Sequence, residues 1–166
     1  MTLDVRLALP ADLPSVQGIE DAADQVFAAV MDISTWGGCP TGQERVDEPG
    51  FLIVAAEADE VVGFAHVLHL DGRAHLEQIA VLPDRARRGI GSALVEQVCR
   101  YAAEQGFAQV TLRTFADVVW NAPFYARHGF VVLEPEPEWM APLRESEERV
   151  GLTRQATRVA MVRLLT

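Results

Sequence analysis

The sequence is poor in positive charge, in cysteine and in long apolar stretches. Its 166 residues carry 14 Lys plus Arg against 24 Asp plus Glu, a net charge of −10, which argues against nucleic-acid or anionic-membrane partners because these bind extended basic surfaces. No apolar run approaches the roughly 20 residues of a membrane-spanning helix. Cys39 and Cys99 are too far apart for a metal-binding knuckle, and no secretory pattern begins the chain. We therefore expect a cytoplasmic protein.

The hydrophobic share of 49% with 23% charged residues is that of a folded globular domain, and we predict a single domain over residues 1–166. Apolar alternation and turn signals predict strands at 5–9, 51–57, 61–70, 74–82, 109–114, 130–133 and 158–165. Helical spacing predicts helices at about 10–30, 90–104, 121–128 and 143–150. Thr41 and Glu44 are spaced as a capping box, which indicates a short additional helix.

The segment PDRARRGIGSAL, residues 83–94, concentrates positive charge in an acidic chain. We call residues 83–91 the arginine loop. It follows a predicted strand and precedes a predicted helix, so its unpaired backbone N–H groups and the positive end of the helix dipole favour an anion. Glycines allow close approach of a ligand, and arginines fork onto phosphate oxygens. The dinucleotide and Walker patterns are both absent. The loop therefore predicts a diphosphate site of another kind.

These residues resemble the GNAT superfamily of acyl-CoA-dependent N-acetyltransferases, whose pyrophosphate loop reads Arg/Gln-x-x-Gly-x-Gly/Ala after a strand like IAVLP. The family's leading Arg or Gln falls on Ala86, and Arg85 or Arg87 is the substitute that we expect. The resemblance implies pairing of the pantetheine arm with Ile79, Ala80 and Val81. It implies contact of the pyrophosphate with Arg87, Arg88, Gly89, Ile90, Gly91 and Ser92.

A second motif, NAPFYARHGF at residues 121–130, is similar to the family's fourth helix, which ends in Tyr-x-x-x-Gly-Phe. The resemblance implies that Tyr125 is the proton donor to the departing thiolate. A core tyrosine is the structural alternative. Asn121 is a candidate cofactor contact, or alternatively a helix N-cap, because Pro123 follows two residues later.

Acetylation of an amine requires loss of a proton from an ammonium of pKa near ~10.4, so a base or a proton-accepting water must help. Glu77 precedes Ile79 on the strand before the loop, where the family often has its base, and His75 is the second choice. An exposed structural carboxylate is the alternative for Glu77. Strand alternation sends His66 and His69 to opposite faces, so no metal site is predicted.

The resemblance implies an α/β fold with a mixed, mostly antiparallel central sheet of six to seven strands, flanked by about four helices. It implies transfer of an acetyl group from acetyl-CoA to a primary amine of a small molecule or peptide, by direct attack in a ternary complex. A non-catalytic acyl-CoA-binding module and a nucleotide-binding protein of another class are the alternatives. We expect the acceptor pocket near Trp36, Trp139 and Met140. The acidic groups that could favour a cationic acceptor are Glu20, Asp21, Asp24 and Asp32. A homodimer is compatible with the family.

Overall fold

A computed structural model describes residues 2–166 and contains one seven-stranded sheet. The strands are β1 Leu3–Leu7, β2 Gly50–Glu57, β3 Glu60–Leu70, β4 Arg73–Val81, β5 Gln109–Phe115, β6 Val131–Val132 and β7 Arg158–Leu164. Their order across the sheet is β1-β2-β3-β4-β5-β7-β6. Within residues 2–166 the β4–β5 pair is parallel, and the other neighbours are antiparallel. The mixed, mostly antiparallel sheet is confirmed at the upper end of the predicted strand number.

Within residues 2–166 five α-helices accompany the sheet, which are four main helices and the short helix that the capping box indicated. They are α1 Leu13–Phe27, α2 Gly42–Asp47, α3 Ile90–Glu104, α4 Ala122–Ala126 and α5 Ala141–Arg149. The additional helix is α2, and its capping box is confirmed, because the Thr41 side chain accepts from the Glu44 N–H while the Glu44 carboxylate accepts from the Thr41 N–H. No helix among residues 2–166 has the length and apolarity to cross a bilayer.

The sheet is covered on both faces, which explains why β2 and β3 are buried over most of their length. On one face α3 contributes Leu94, Val95 and Val98, each 0% exposed, to the larger apolar core. On the other face α1 contributes Val16 and Ile19 to a smaller core. Each helix presents one apolar stripe to the sheet, as amphipathic helices do. We call these the α3 face and the α1 face.

The parallel pair β4–β5 holds together at only one end. Its residue pairs run from Ala74 opposite Val110 to Leu76 opposite Leu112, and residues 77–81 of β4 have no partner in β5. The chain of β5 continues instead along β7, as far as Phe115 opposite Arg158. The sheet therefore opens between residues 77–81 and residues 113–115, and we call this opening the seam.

A β-bulge begins the seam. In the β3–β4 ladder Val67 lies opposite Leu76 and His66 lies opposite Gln78, so Glu77 is an additional residue in β4. Because a bulge interrupts strict alternation, Glu77 and Gln78 both contact groups on the α1 face. The bulge thus directs two consecutive polar side chains to the α1 face.

Candidate active site

The arginine loop presents a run of free backbone donors. The N–H groups of Arg85 and Ala86 are bonded to Leu82 and Pro83, but those of residues 87–92 donate no backbone hydrogen bond within residues 2–166. Arg87 and Gly89 have φ values of +61° and +80°, and successive left-handed turns of this kind form concave anion sites. α3 begins directly afterwards, so its dipole adds to the attraction. The geometry is that of an anion-binding loop.

The arginines of the loop are not equivalent. The Arg85 guanidinium lies 3.4 Å from Glu57, 3.3 Å from Glu60 and 2.8 Å from Asp84. Arg85 is therefore committed to carboxylates, and of the two expected substitutes for the family's leading residue only Arg87 keeps an unengaged guanidinium among residues 2–166. Arg88 is half exposed, with its nearest carboxylate, Glu57, at 3.8 Å.

The residues that follow the loop have structural duties as well. A Cβ atom on Gly91 would lie 3.4 Å from the Phe124 ring, so this position packs closely against α4. Ile90 is buried in the α3-face core. The Ser92 hydroxyl lies 3.0 Å from Nε2 of His128. Of these predicted cofactor contacts, Ile90 therefore has a side chain directed into the core rather than to the loop surface.

Glu77 lies at the bulge with one carboxylate oxygen held by α2 and β3. Its Oε2 accepts a hydrogen bond of 2.6 Å from Arg45 and lies 3.4 Å from Nδ1 of His66. Desolvation raises the pKa of this carboxyl, but the adjacent His66 ring and the charge of Arg45 outweigh it and bring the pKa to about 2. The side chain is still 39% exposed. Glu77 is therefore a charged and accessible carboxylate.

His75, the alternative base, is far less accessible. It is 4% exposed, its Nδ1 lies 2.9 Å from the Thr111 hydroxyl, and its ring meets the edge of Trp139 at 5.9 Å. Burial, with a smaller contribution from the positive charge of Arg113, lowers the pKa of His75 to about 4. His75 is therefore a neutral, buried imidazole, and Glu77 is the better placed of the two candidates.

The β4 backbone along the seam is partly occupied by Gln78. The Gln78 carbonyl accepts from the Ile79 N–H at 3.0 Å, while its amide nitrogen donates to Glu20 of α1 at 3.0 Å. The Ile79 N–H is consequently occupied, whereas the resemblance implied that the backbone of Ile79 pairs with the pantetheine arm. Ala80 is buried in the α1-face core, and Val81 is half-buried.

Tyr125 approaches from the opposite face. It belongs to the α3-face core, is 8% exposed, and packs edge-on against Phe124 at 5.1 Å and Phe130 at 5.8 Å. Burial raises the pKa of its phenol above the usual value, which keeps the hydroxyl protonated at neutral pH. Tyr125 and Glu77 thus lie on opposite faces of the sheet.

Asn121 does not cap α4 with its side chain. Its Oδ1 accepts a hydrogen bond of 2.7 Å from the Thr114 hydroxyl, and only its backbone carbonyl accepts from Tyr125. The N-cap interpretation is therefore wrong for the side chain. The amide instead ties the start of α4 to the end of β5.

Two groups on the α1 face escaped the sequence analysis. Arg45, 2% exposed, joins Glu20 to Glu77. An aromatic cluster surrounds Phe27 of α1, whose ring lies 5.3 Å from Trp36, 5.7 Å from Phe115 and 5.5 Å from Trp120.

The predicted acceptor-side residues divide into three groups. Trp36 is half-buried in the aromatic cluster, and Glu20 and Asp24 are inward-facing acids of α1. Asp21 and Asp32 are exposed. Met140 is 0% exposed, so it is a core residue and does not line a pocket, which corrects the expectation for that position.

The site therefore combines a loop with free backbone N–H groups, the seam between β4 and β5, and a helix, α4, that carries Tyr125 and is tied to the end of β5. A family model described as the acetyltransferase (GNAT) family matches residues 20–130. The chain belongs to the GNAT acetyltransferase family.

Among curated relatives, a mycothiol acetyltransferase of Clavibacter sepedonicus is 37% identical over 84 residues, which cover 50% of this chain and 28% of that protein. The chain therefore spans less than a third of that relative's length.

Solved structures agree on the fold. An acetyltransferase of the GNAT family from Staphylococcus aureus Mu50 superposes with a TM-score of 0.73 at 16% identity, covering 99% of this chain and 100% of the other. The PaiA N-acetyltransferase of Thermoplasma acidophilum, determined in complex with coenzyme A, gives a TM-score of 0.71 at 14% identity, covering 99% of each chain.

Proposed function

We propose that the protein is an N-acetyltransferase that moves an acetyl group from acetyl-CoA to a primary amine by direct attack in a ternary complex. The observation that supports this proposal is that Glu77 lies at the bulge with its carboxylate on the α1 face, while Tyr125 belongs to the α3-face core on the other side of the sheet. An amine entering from the α1 face meets Glu77, and a leaving thiolate on the α3 side meets Tyr125.

The chain's own groups fit the cofactor. The free N–H groups of residues 87–92 suit a diphosphate, and the Arg87 and Arg88 side chains supply positive charge beside them. The unpaired edge of β4 at residues 79–81 suits an extended amide-bearing arm, provided that Gln78 releases the Ile79 N–H. Acetyl-CoA supplies the acetyl group as an activated thioester. The structural relative solved with coenzyme A supports this assignment.

Glu77 assists the acceptor amine in two steps, which are binding and loss of a proton. Because its pKa is about 2, it remains negative at all pH values near neutrality and attracts an ammonium group. The same low pKa makes it a weak proton acceptor, so we propose that it orients a water molecule that carries the proton to solvent. Its second carboxylate oxygen, Oε1, makes no hydrogen bond within residues 2–166 and is available for this purpose.

Tyr125 acts on the other product. A phenol within hydrogen-bond reach can protonate a thiolate of pKa about ~8.5 as the intermediate collapses. The Tyr125 hydroxyl is protonated at neutral pH, because its pKa lies above the ordinary phenol value. Amides of β4 residues 79–81 would stabilise the oxyanion, as backbone donors do in other acyl transfers.

The test offers the enzyme a panel of polyamines, amino acids, aminoglycosides and peptide N-termini. Turnover is measured as the release of free thiol from acetyl-CoA. All 14 positively charged side chains are arginines, so acetylation of lysine side chains within the enzyme cannot contribute to the signal. We expect turnover with a subset of cationic amines. Tight acetyl-CoA binding without turnover on any amine would favour the acyl-CoA-binding module instead.

Tyr125→Phe is expected to reduce kcat by about 10²-fold or more, the usual contribution of a positioned acid, while leaving acetyl-CoA affinity within a factor of two or so. Tyr101→Phe is the matched control, because Tyr101 is the chain's other tyrosine and packs against Phe51 on the α3 face. Equal kcat values for Tyr125→Phe and the parent would remove Tyr125 from the mechanism.

A further inference from the structure

A chain of hydrogen bonds leads from the first turn of α3 to β7. The Ser92 hydroxyl lies 3.0 Å from Nε2 of His128, and Nδ1 of His128 lies 3.2 Å from Oε1 of Glu96. Arg163 of β7 donates to both oxygens of Glu96 at 2.9 and 3.2 Å, and also to the backbone carbonyl of His128 at 3.0 Å. Both nitrogens of the imidazole ring are therefore engaged, and the backbone carbonyl of His128 is bonded as well.

The charge of His128 decides what Ser92 can do. Glu96 is an acceptor, so Nδ1 carries a proton, and in the neutral ring Nε2 accepts the Ser92 hydroxyl proton. The hydroxyl then turns only lone pairs outwards, which repel an anion. In the charged ring Nε2 donates to Ser92, and the hydroxyl proton is free to bond an anion beside the amides of residues 87–92.

Charged and aromatic groups surround the imidazole ring. Glu96 of α3 faces Nδ1, but Arg163 of β7 already compensates that carboxylate. From α4 the Phe124 ring lies 4.9 Å away, with the Arg127 guanidinium 5.8 Å from the same ring. A diphosphate at the loop is thus the additional negative charge that favours the imidazolium.

We propose that His128 is a positioning residue of the arginine loop, which turns the Ser92 hydroxyl towards the diphosphate of acetyl-CoA and couples cofactor binding to uptake of a proton. This inference rests on the proposed function. Imidazole is the side chain that ordinarily changes charge between about pH 5 and 8. By linkage, the affinity for acetyl-CoA falls as pH rises through that range.

The experiment measures the Kd of acetyl-CoA from pH 5.5 to 8.5 by calorimetry for the parent and for His128→Gln, which cannot titrate. Ionisation of the ligand is common to both proteins and cancels in the ratio of their Kd values. We expect the parent to bind roughly 2- to 12-fold more tightly at pH 5.5, the worth of one hydrogen bond, and equally at pH 8.5. A ratio that is constant with pH would overturn the proposal.

Ser92→Ala supplies the second arm. If His128 acts through Ser92, His128→Gln in the Ser92→Ala background will leave the Kd and its pH dependence unchanged, whereas additive effects would refute the relay. His69→Gln is the control, since His69 is exposed and packs against Phe107 away from the loop. Absence of acetyl-CoA binding by the parent would count against the proposed function itself, and binding without the His128 effect only against this inference.

Discussion

Replacing Arg45 by methionine will destabilise the protein more than the same replacement of an exposed arginine. Arg45 is 2% exposed, bonds Glu20 through one nitrogen and Glu77 through another, and stacks over the Phe64 ring at 5.4 Å. Methionine keeps much of the apolar stem but leaves Glu20, which is 6% exposed, without its cation. The unpaired buried carboxylate is the cause of the expected loss.

Removing one partner of a buried ion pair costs about 3–5 kcal/mol. In a protein of this length each kcal/mol lowers Tm by roughly 2–4 °C, so the expected fall is roughly 6–20 °C at pH 7.5. Thermal unfolding followed by circular dichroism gives the measurement. Arg149→Met is the matched control, because Arg149 is exposed on α5, and it should change Tm by about 2 °C or less.

The pH dependence of this loss has a definite sign. In the parent, the pKa of Glu77 is about 2, below its ordinary value, so its pairing with Arg45 stabilises the fold above about pH 4.5 and is lost as pH falls towards 2. The variant lacks that contribution at every pH. The difference in Tm between parent and Arg45→Met should therefore narrow between pH 5 and 3.

A second substitution tests the cause. Glu20→Gln combined with Arg45→Met removes both charges, and we expect it to recover part of the lost stability because no buried charge remains uncompensated. A fall of less than about 2 °C for Arg45→Met, or no recovery in the double variant, would show that the ion pair does not stabilise the fold in the way described.

Two further substitutions test single positions. Gly89→Ala places a side chain in open space but at a φ of +80°, so we expect roughly 1–2 kcal/mol of strain and weaker acetyl-CoA binding in calorimetry; an unchanged Kd would contradict a rigid loop. Burial, then the charge of Glu20, raises the pKa of Asp24 from 3.8 to about 6, so ionisation of Asp24 costs stability as pH rises through that window. Asp24→Asn should accordingly raise Tm at pH 8 but not at pH 4, and an equal effect at both pH values would contradict the assignment.

Features set by neighbouring residues were predictable from the sequence. The α3 helix follows from its apolar spacing and the glycines beside it, and α2 follows from the reciprocal bonds of Thr41 and Glu44. Strand β1 was displaced by two residues, because β2 pairs with Leu3 to Leu7 while Pro10 begins a helical turn. The family motifs indicated the arginine loop, which directly precedes α3, and Tyr125, which lies in α4.

Features set by distant contacts were not predictable. The bulge at Glu77 depends on how β3 pairs with β4, and no pattern within β4 specifies that register. The commitment of Arg85 to Glu57 and Glu60 depends on the β2–β3 turn, and the bond of Asn121 depends on Thr114. Arg45 shows the same limit, since its importance arises from α1 and β4 rather than from its own helix.

The short β4–β5 ladder has a mechanical consequence. Three residue pairs join β1–β4 to the group of β5, β7 and β6, so the two parts of the sheet share little main-chain bonding. An extended ligand bound in the seam would contact both parts of the sheet at once. Binding of that ligand would therefore increase the free energy of unfolding.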